Sequence, residues 1–178
     1  YNSSNDFFWL SELRKKKKNN CKFLLGDIRD FDFVSYAMKG CHVVFHLAAL
    51  IGIPYSYYSP QAYIKTNLEG TYNILEAARH MNCKNIIITS TSEVYGSAQY
   101  LPIDEAHPIN SQSPYAASKV AADQLALSYF KSFNTPVKII RPFNVYGPRQ
   151  SERAIIPTII NQTLGNNKKI SLGNLKPC

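Results

Sequence analysis

Paired cysteines, glycine-rich turns and long apolar runs are all missing from this chain, and each absence closes off a class of protein. The four cysteines (Cys21, Cys41, Cys83 and Cys178) form no Cys-x-x-Cys and have no histidine at zinc spacing. A disulfide framework is thereby excluded, no metal site is expected, and a reducing, cytoplasmic compartment fits best. No apolar stretch approaches the roughly 18 residues that a membrane span requires; neither a membrane partner nor a signal peptide is expected. Only 8 glycines occur in 178 residues, none of them clustered. Acidic residues are few as well, 12 against 20 lysines and arginines, giving a formal net charge of +8. The only basic run is Lys15–Lys18, beside Arg14 and ahead of Asn19 and Asn20. A solvated loop accounts for it more simply than a nucleic-acid groove, so no nucleic-acid partner is expected. The remaining positive excess suits an anionic small ligand.

What is present is ordinary globular composition, 45% hydrophobic and 18% charged, in a chain long enough for one domain with a real core. Residues 1–20 read as a short helix around Phe7-Phe8-Trp9-Leu10, then a loop. Lys22–Leu25 reads as a short strand ending at Gly26-Asp27-Ile28-Arg29-Asp30. Asp30 is placed to cap a helix running to about Met38, closed by Gly40. His42–His46 reads as the next strand, followed by the small stretch Leu47-Ala48-Ala49. Residues 51–60, with Gly52, Pro54 and Pro60, read as a loop, and Thr66–Met81 as a long amphipathic helix. Asn85–Thr89 is a β-branched run suited to a strand buried on both faces. A proline-containing loop then leads to a helix from Ser113 to about Ser132. Pro136–Ile140 reads as another buried strand, Ala154–Leu164 as a helix closed by Gly165, and Lys168–Leu172 as a last strand.

This alternation predicts an α/β fold, a doubly wound parallel sheet with helices on both faces. In such sheets ligands sit beyond the carboxyl ends of the strands. Asp27, Leu47–Ala49, Thr91–Glu93 and Phe143-Asn144 all fall there. At the front of one helix, Tyr115 and Lys119 stand four residues apart and so share a face. A neighbouring cation favours the ionised form of a phenol, so Lys119 is expected to lower the Tyr115 pKa towards that of a general base. The bland alternative is a helix face carrying one aromatic and one charge. No Gly-x-Gly-x-x-Gly occurs; the glycine-rich turn that opens a dinucleotide-binding domain is therefore not found, and a fragment is expected.

Six stretches resemble, in order and spacing, the extended short-chain dehydrogenase/reductase superfamily, specifically its NAD-dependent nucleotide-sugar epimerases and dehydratases. They are Gly-Asp-Ile-Arg-Asp, His-Leu-Ala-Ala, Thr-Asn-Leu-Glu-Gly-Thr, Ser-Thr-Ser-Glu-Val-Tyr-Gly, Tyr-Ala-Ala-Ser-Lys and Arg-Pro-Phe-Asn-Val-Tyr-Gly-Pro-Arg. Residues 49–57 and 154–160 look most like bacterial sugar-nucleotide 4,6-dehydratases of the GDP-mannose and UDP-N-acetylhexosamine types, enzymes that feed surface-polysaccharide synthesis. The resemblance implies that residues 1–178 are a partial NAD(P)-binding, Rossmann-like domain. Its first βαβ unit and carboxyl-terminal substrate lobe would be missing. It also implies NAD as cofactor, with NADP possible, a nucleotide-diphosphate sugar as substrate, and a homodimer when full length.

Residue by residue, the resemblance implies that Asp27 accepts a hydrogen bond from the adenine amino group while Ile28 packs on the ring. Leu47, Ala48, Ala49, Ser90 and Phe143 would line the cofactor's path, and Asn67 would brace the loops around it. Thr91 would hydrogen-bond the sugar's C4 oxygen, Tyr115 would take the C4 hydroxyl proton, and Lys119 would hold the nicotinamide ribose. Glu93 would take the C5 proton, which a 4-epimerase has no need to remove, with Ser92 and Asn144 against the substrate. Arg149 either pairs with a substrate phosphate or is a surface arginine. Glucose-type dehydratases carry Asp-Glu where this chain has Ser92-Glu93, which puts a separate general acid for the C6 hydroxyl in doubt and leaves open whether Glu93 serves as both base and acid. Two readings stay open beside dehydration: a 4-epimerase or UDP-glucuronate decarboxylase of the same superfamily, and a nucleotide-binding module without chemistry.

Overall fold

The computed structural model describes residues 21–151, 154–165 and 169–172. The expectations for residues 1–20, including the lysine run, and for Lys168 lie outside the described residues. Within them the elements run α1 (Phe31–Ala37), β1 (Val43–His46), α2 (Ile53–Tyr58), α3 (Pro60–Tyr63), α4 (Gly70–His80), β2 (Asn85–Thr89), α5 (Pro114–Phe133), β3 (Val137–Ile140) and α6 (Ile155–Leu164). A π-helical segment, Ile64–Glu69, joins α3 to α4 without a break, and a single 3-10 turn, Ser92–Tyr95, follows β2.

Local chemistry sets most of the boundaries. Asp30 Oδ1 accepts from the backbone N–H of Phe33 at 3.0 Å, capping α1 as its sequence position predicts. Ser113 Oγ likewise accepts from Ala116 N at 3.0 Å. Pro114 occupies the first turn of α5, where its missing N–H costs nothing. Asn134 then ends α5 in the left-handed region, at φ 53°.

The strands form a parallel three-stranded sheet in the order β1-β2-β3, with Val43 opposite Asn85 and Ile86 opposite Val137. Parallel neighbours separated by helices are what alternating strand and helix patterns produce. The core gathers where α1, α4 and α5 meet one face of this sheet: Val34, Met38, Leu75, Ala78, Ile86, Ile88, Ala126 and Tyr129. Ile86 and Ile88 are fully buried, each worth about 1.5–3 kcal/mol. The alternate residues of the strands face the other way. Phe45 is 67% exposed, and Asn85, Ile87 and Thr89 are half-buried. Burial of β2 on both faces, expected from its β-branched run, is therefore not observed among the described residues.

Four other expectations are corrected. Residues 22–25 are not a strand, since they join no ladder among the described residues, and neither are residues 169–172. Residues 51–60 are largely helical. Their prolines sit in the first turns of α2 and α3, where proline is tolerated, so they start helices rather than break them. For the same reason the long helical run begins at Pro60 rather than Thr66.

Candidate active site

The carboxyl ends of the strands are tied together beyond the sheet itself. Ser90 N donates to Ile140 O at 2.7 Å and Ser92 N to Pro142 O at 3.1 Å. These bonds hold the Thr91–Glu93 turn against the chain leaving β3. Thr91 Oγ1 accepts from Glu93 N at 3.2 Å, which winds that turn and leaves the Glu93 side chain exposed. Opposite it, the first two turns of α5 carry Tyr115 and Lys119.

Tyr115 is 6% exposed, with the ring of Tyr63 edge-on at 6.1 Å between centroids. Burial pushes its phenol above the ordinary tyrosine value; the Thr91 hydroxyl works in the opposite direction, and the Glu93 charge adds to the rise. Thr91 and Glu93 are therefore the neighbours whose side chains bear on the Tyr115 phenol. Lys119 points elsewhere. Its Nζ donates to Thr89 O at 2.6 Å, deep under the end of β2, and the groups acting on the phenol are Thr91 and Glu93. The expected lowering of the Tyr115 pKa is overturned, because the ammonium is spent on a backbone carbonyl and burial dominates. Burial also depresses Lys119 itself, which Asp123 partly offsets.

Asn67, on the π-helical segment, is 1% exposed and braces the site as its motif implied. Its Oδ1 accepts from Leu50 N at 2.8 Å, and its Nδ2 donates to Leu50 O at 3.0 Å and to Ser118 Oγ at 2.9 Å. Ser118 Oγ in turn donates to Tyr115 O at 2.7 Å. Leu47 and Ala48 lie exposed beyond β1, with Ala49 half-buried.

The remaining predicted residues are more dispersed. Asp27, Arg29, Asp30, Lys65 and Glu69 line a cavity of about 350 Å³. The Arg29 guanidinium reaches both Asp27 oxygens, holding that carboxyl below its usual range. The Ile28 side chain lies over Gly70, where a Cβ would meet its Cδ1 at 2.5 Å. Phe143 lines a different cavity of about 780 Å³ with Tyr95, Arg141, Leu127 and Phe130; neither Tyr115, Lys119, Thr91 nor Glu93 lines it. Asn144 and Arg149 are exposed beyond β3, with Arg149 at φ 71°.

Sequence reasoning missed two buried groups, His46 and Asp123, and the partly buried Arg141 that binds the second. His46, at the end of β1, is 4% exposed, and its Nε2 lies 3.1 Å from Thr71 Oγ1. Asp123 is fully buried and accepts from Arg141 Nε at 3.0 Å. Arg141 Nη1 also donates to Tyr95 OH at 3.0 Å. Asp123 stands four residues after Lys119, the same spacing that drew attention to Lys119, and could have been found by extending it one turn.

The site also fits a dinucleotide on its own evidence. The Thr89 hydroxyl is buried at the end of β2 with no hydrogen-bond partner, and beyond β1 the small side chain of Ala48 is exposed.

Comparison with known proteins agrees with this fold. The profile of the GDP-mannose 4,6 dehydratase family matches residues 1–178. Among curated relatives, dTDP-D-glucose 4,6-dehydratase of Dictyostelium discoideum is 36% identical over 169 residues, covering 88% of this chain and 39% of the relative. The Homo sapiens enzyme of the same name is 35% identical, covering 85% and 44%. A dTDP-glucose 4,6-dehydratase double mutant from Streptomyces venezuelae, solved with NAD bound, superposes with a TM-score of 0.80 at 30% identity. That match covers 86% of this chain and 48% of the other. A UDP-N-acetylglucosamine 4-epimerase from Methanobrevibacter ruminantium gives a TM-score of 0.82 at 32% identity, covering 88% and 52%. The chain thus spans about two fifths of the length of these curated relatives. By its profile match, its relatives and its Rossmann-like parallel sheet, the chain belongs to the GDP-mannose 4,6 dehydratase family, within the extended short-chain dehydrogenase/reductases.

Proposed function

We propose that the full-length protein is an NAD-dependent sugar-nucleotide 4,6-dehydratase, a lyase, and that residues 1–178 belong to its dinucleotide-binding domain. The observation that carries this is the meeting of Tyr115, Thr91 and Glu93 at the strand exits, where hydroxyl and carboxylate both act on the phenol. Thr91 holds the C4 oxygen of the sugar while Tyr115, as phenolate, takes the C4 hydroxyl proton. The ketone formed at C4 makes the C5 proton acidic, because the resulting carbanion is an enolate. Glu93, exposed on its turn, takes that proton and delivers one to the C6 hydroxyl, which leaves as water. Its neighbour Ser92 lines the substrate side, and no second carboxylate stands beside Glu93 in the sequence to divide the two tasks.

Asp27, Ile28, Leu47, Ala48, Ala49, Ser90, Lys119 and Phe143 are the residues assigned to hold the dinucleotide, with Asn144 and Arg149 towards the substrate diphosphate. When bound, that cofactor supplies the hydride acceptor for C4 and the hydride donor for C6. The solved relatives with NAD bound support NAD, and one relative solved with NADPH keeps NADP open as the alternative. A homodimer, a cytoplasmic location and a place in surface-polysaccharide synthesis complete the proposal.

One observation favours a second reading: epimerase structures superpose on the chain as well as dehydratases do. Incubating the full-length protein and NAD with GDP-mannose, dTDP-glucose and UDP-N-acetylglucosamine in turn separates the cases. A 4-keto-6-deoxy product absorbing in alkali is expected. A C4 epimer would replace dehydration with epimerisation, and cofactor binding without turnover would leave a nucleotide-binding module.

A further inference from the structure

The buried charges under the site form a chain that the reaction above does not use. Asp123, fully buried, pairs with Arg141 Nε at 3.0 Å; Arg141 Nη1 reaches Tyr95 OH at 3.0 Å, and the guanidinium stands 5.2 Å from the Tyr95 ring centroid. Tyr95 closes the 3-10 turn that carries Glu93 and follows Thr91. On the other side Asp123 lies one helical turn beyond Lys119, on the same face of α5. Lys119 is 2% exposed and fixed to Thr89 O. The next residue, Ser90, puts its hydroxyl beside Asp123 without the geometry of a full hydrogen bond, and Asp123 Oδ1 has no other protein partner.

The charge of Asp123 thus serves two cations: it pairs directly with the partly buried Arg141 and acts on the buried Lys119 one helical turn away. The groups facing Lys119 are Asp123 from its own helix, His46 from β1, whose imidazole feels the Lys119 charge, and Arg141 from beyond β3 through Asp123. His46 is held neutral at ordinary pH, with its pKa down at about 4, and offers no compensating anion. An unpaired buried ammonium sheds its proton instead of remaining charged.

We infer that Asp123 is a positioning residue of this site: it balances the charge of Lys119 and, through Arg141 and Tyr95, sets the turn bearing Thr91 and Glu93 against the helix bearing Tyr115. Asp123 touches neither substrate nor cofactor in this reading; it acts through the residues that do. The inference deepens the proposed dehydratase chemistry and rests on it for its catalytic meaning, but its electrostatic half stands on the fold alone.

The test uses full-length protein labelled with ¹³C at lysine Cε, with the Lys119 resonance assigned by K119R and followed against pH. In D123N the Asn oxygen can still accept from Arg141, so the tie to Tyr95 survives while the charge is lost. The Lys119 titration is expected to fall by at least one pH unit, tenfold in its constant. The alkaline fall of kcat should move with it. An unchanged Lys119 titration in folded D123N overturns the inference. If D123N does not fold, D123E keeps the charge but displaces the carboxylate. Its Lys119 should then titrate as in the parent while kcat drops at all pH values, and a Lys119 constant lowered tenfold in D123E would overturn the inference instead. A parent protein that turns over no sugar nucleotide would sink the dehydratase reading, yet the Lys119 titration would still decide the role of Asp123.

Discussion

Asn67 and Ser118, 51 residues apart in the chain, meet through Nδ2 and Oγ at 2.9 Å, and this contact clamps the exit of β1 to the helix that carries Tyr115. Because Asn67 also satisfies both backbone groups of Leu50, replacing it leaves those two groups without that partner, while Ser118 Oγ keeps its bond to Tyr115 O. Asn67→Ala should cost about 1–3 kcal/mol of stability, the penalty of leaving such groups unpaired. Urea denaturation reads this directly, and an unchanged midpoint would remove the clamp from the account.

Thr91→Val should shift the pH dependence of turnover. The Tyr115 phenol is raised by burial, and the Thr91 hydroxyl is the contact that pulls it back. Without that hydroxyl the phenolate forms at higher pH, so the rising limb of kcat moves to alkaline values. A loss of about 10²–10³ in kcat accompanies it, the size seen when one preorganised donor is removed. Thr91→Ser should restore the limb. A limb that stays in place in the valine variant would mean that Tyr115 is not the titrating base.

Glu93→Gln should abolish formation of the 4-keto-6-deoxy product by about 10²–10⁴-fold, the usual worth of a positioned general base. Substrate affinity should be unchanged, because the side chain is exposed and makes no bond that holds the fold. Parental rates of keto product in this variant would remove Glu93 from the mechanism.

His46 makes stability depend on pH. Burial, and then the charge of Lys119, lower its pKa from 6.5 to about 4. A histidine with a depressed folded pKa stabilises the fold above its unfolded value and loses that contribution as pH falls. The window is therefore pH 6.5 down to about 4, over which about 3 kcal/mol of stability should disappear. Urea midpoints across this range, compared with those of His46→Gln, isolate the effect; parallel curves for the two proteins would contradict it.

Gly96, at φ 65°, is the glycine that the site cannot exchange, since a Cβ there would stand 2.2 Å from the carbonyl oxygen of Asn110. Backbone cannot step aside as a side-chain end can, and the positive φ adds strain of its own. Gly96→Ala should destabilise by about 1–3 kcal/mol, measured as a fall in Tm, and by its position it should loosen the Glu93 turn.

The parallel order of β1, β2 and β3, the caps at Asp30 and Ser113 and the clustering of Tyr115, Thr91 and Glu93 were legible because each follows from local pattern. Alternating strands and helices dictate exits on one side, and Ser or Asp before a helix satisfies its free N–H groups. Pro54 and Pro60 misled because proline at a helix start and proline in a loop look alike until the helix is seen. Residues 22–25 misled because a strand exists only with its ladder. The direction of Lys119 was beyond pattern altogether. Spacing places it on the Tyr115 face, but the Thr89 carbonyl that captures it comes from 30 residues upstream. The pairing of Asp123 with Arg141 was hidden likewise, since spacing puts Asp123 on the Lys119 face but does not bring in a cation 18 residues on.

The π-helical segment Ile64–Glu69 holds one residue more per few turns than the helices on either side. That surplus residue lets Asn67 aim inward at Ser118 while Ile74, Leu75 and Ala78 downstream still meet the sheet. If these six positions closed into plain α-helix without losing one, one half would swing about its axis relative to the other by roughly a hundred degrees. Either the amide or the apolar stripe would then turn to solvent. The wide turn absorbs one extra residue, and a plain α-helix holding the same number of residues there could not keep both its core and its clamp.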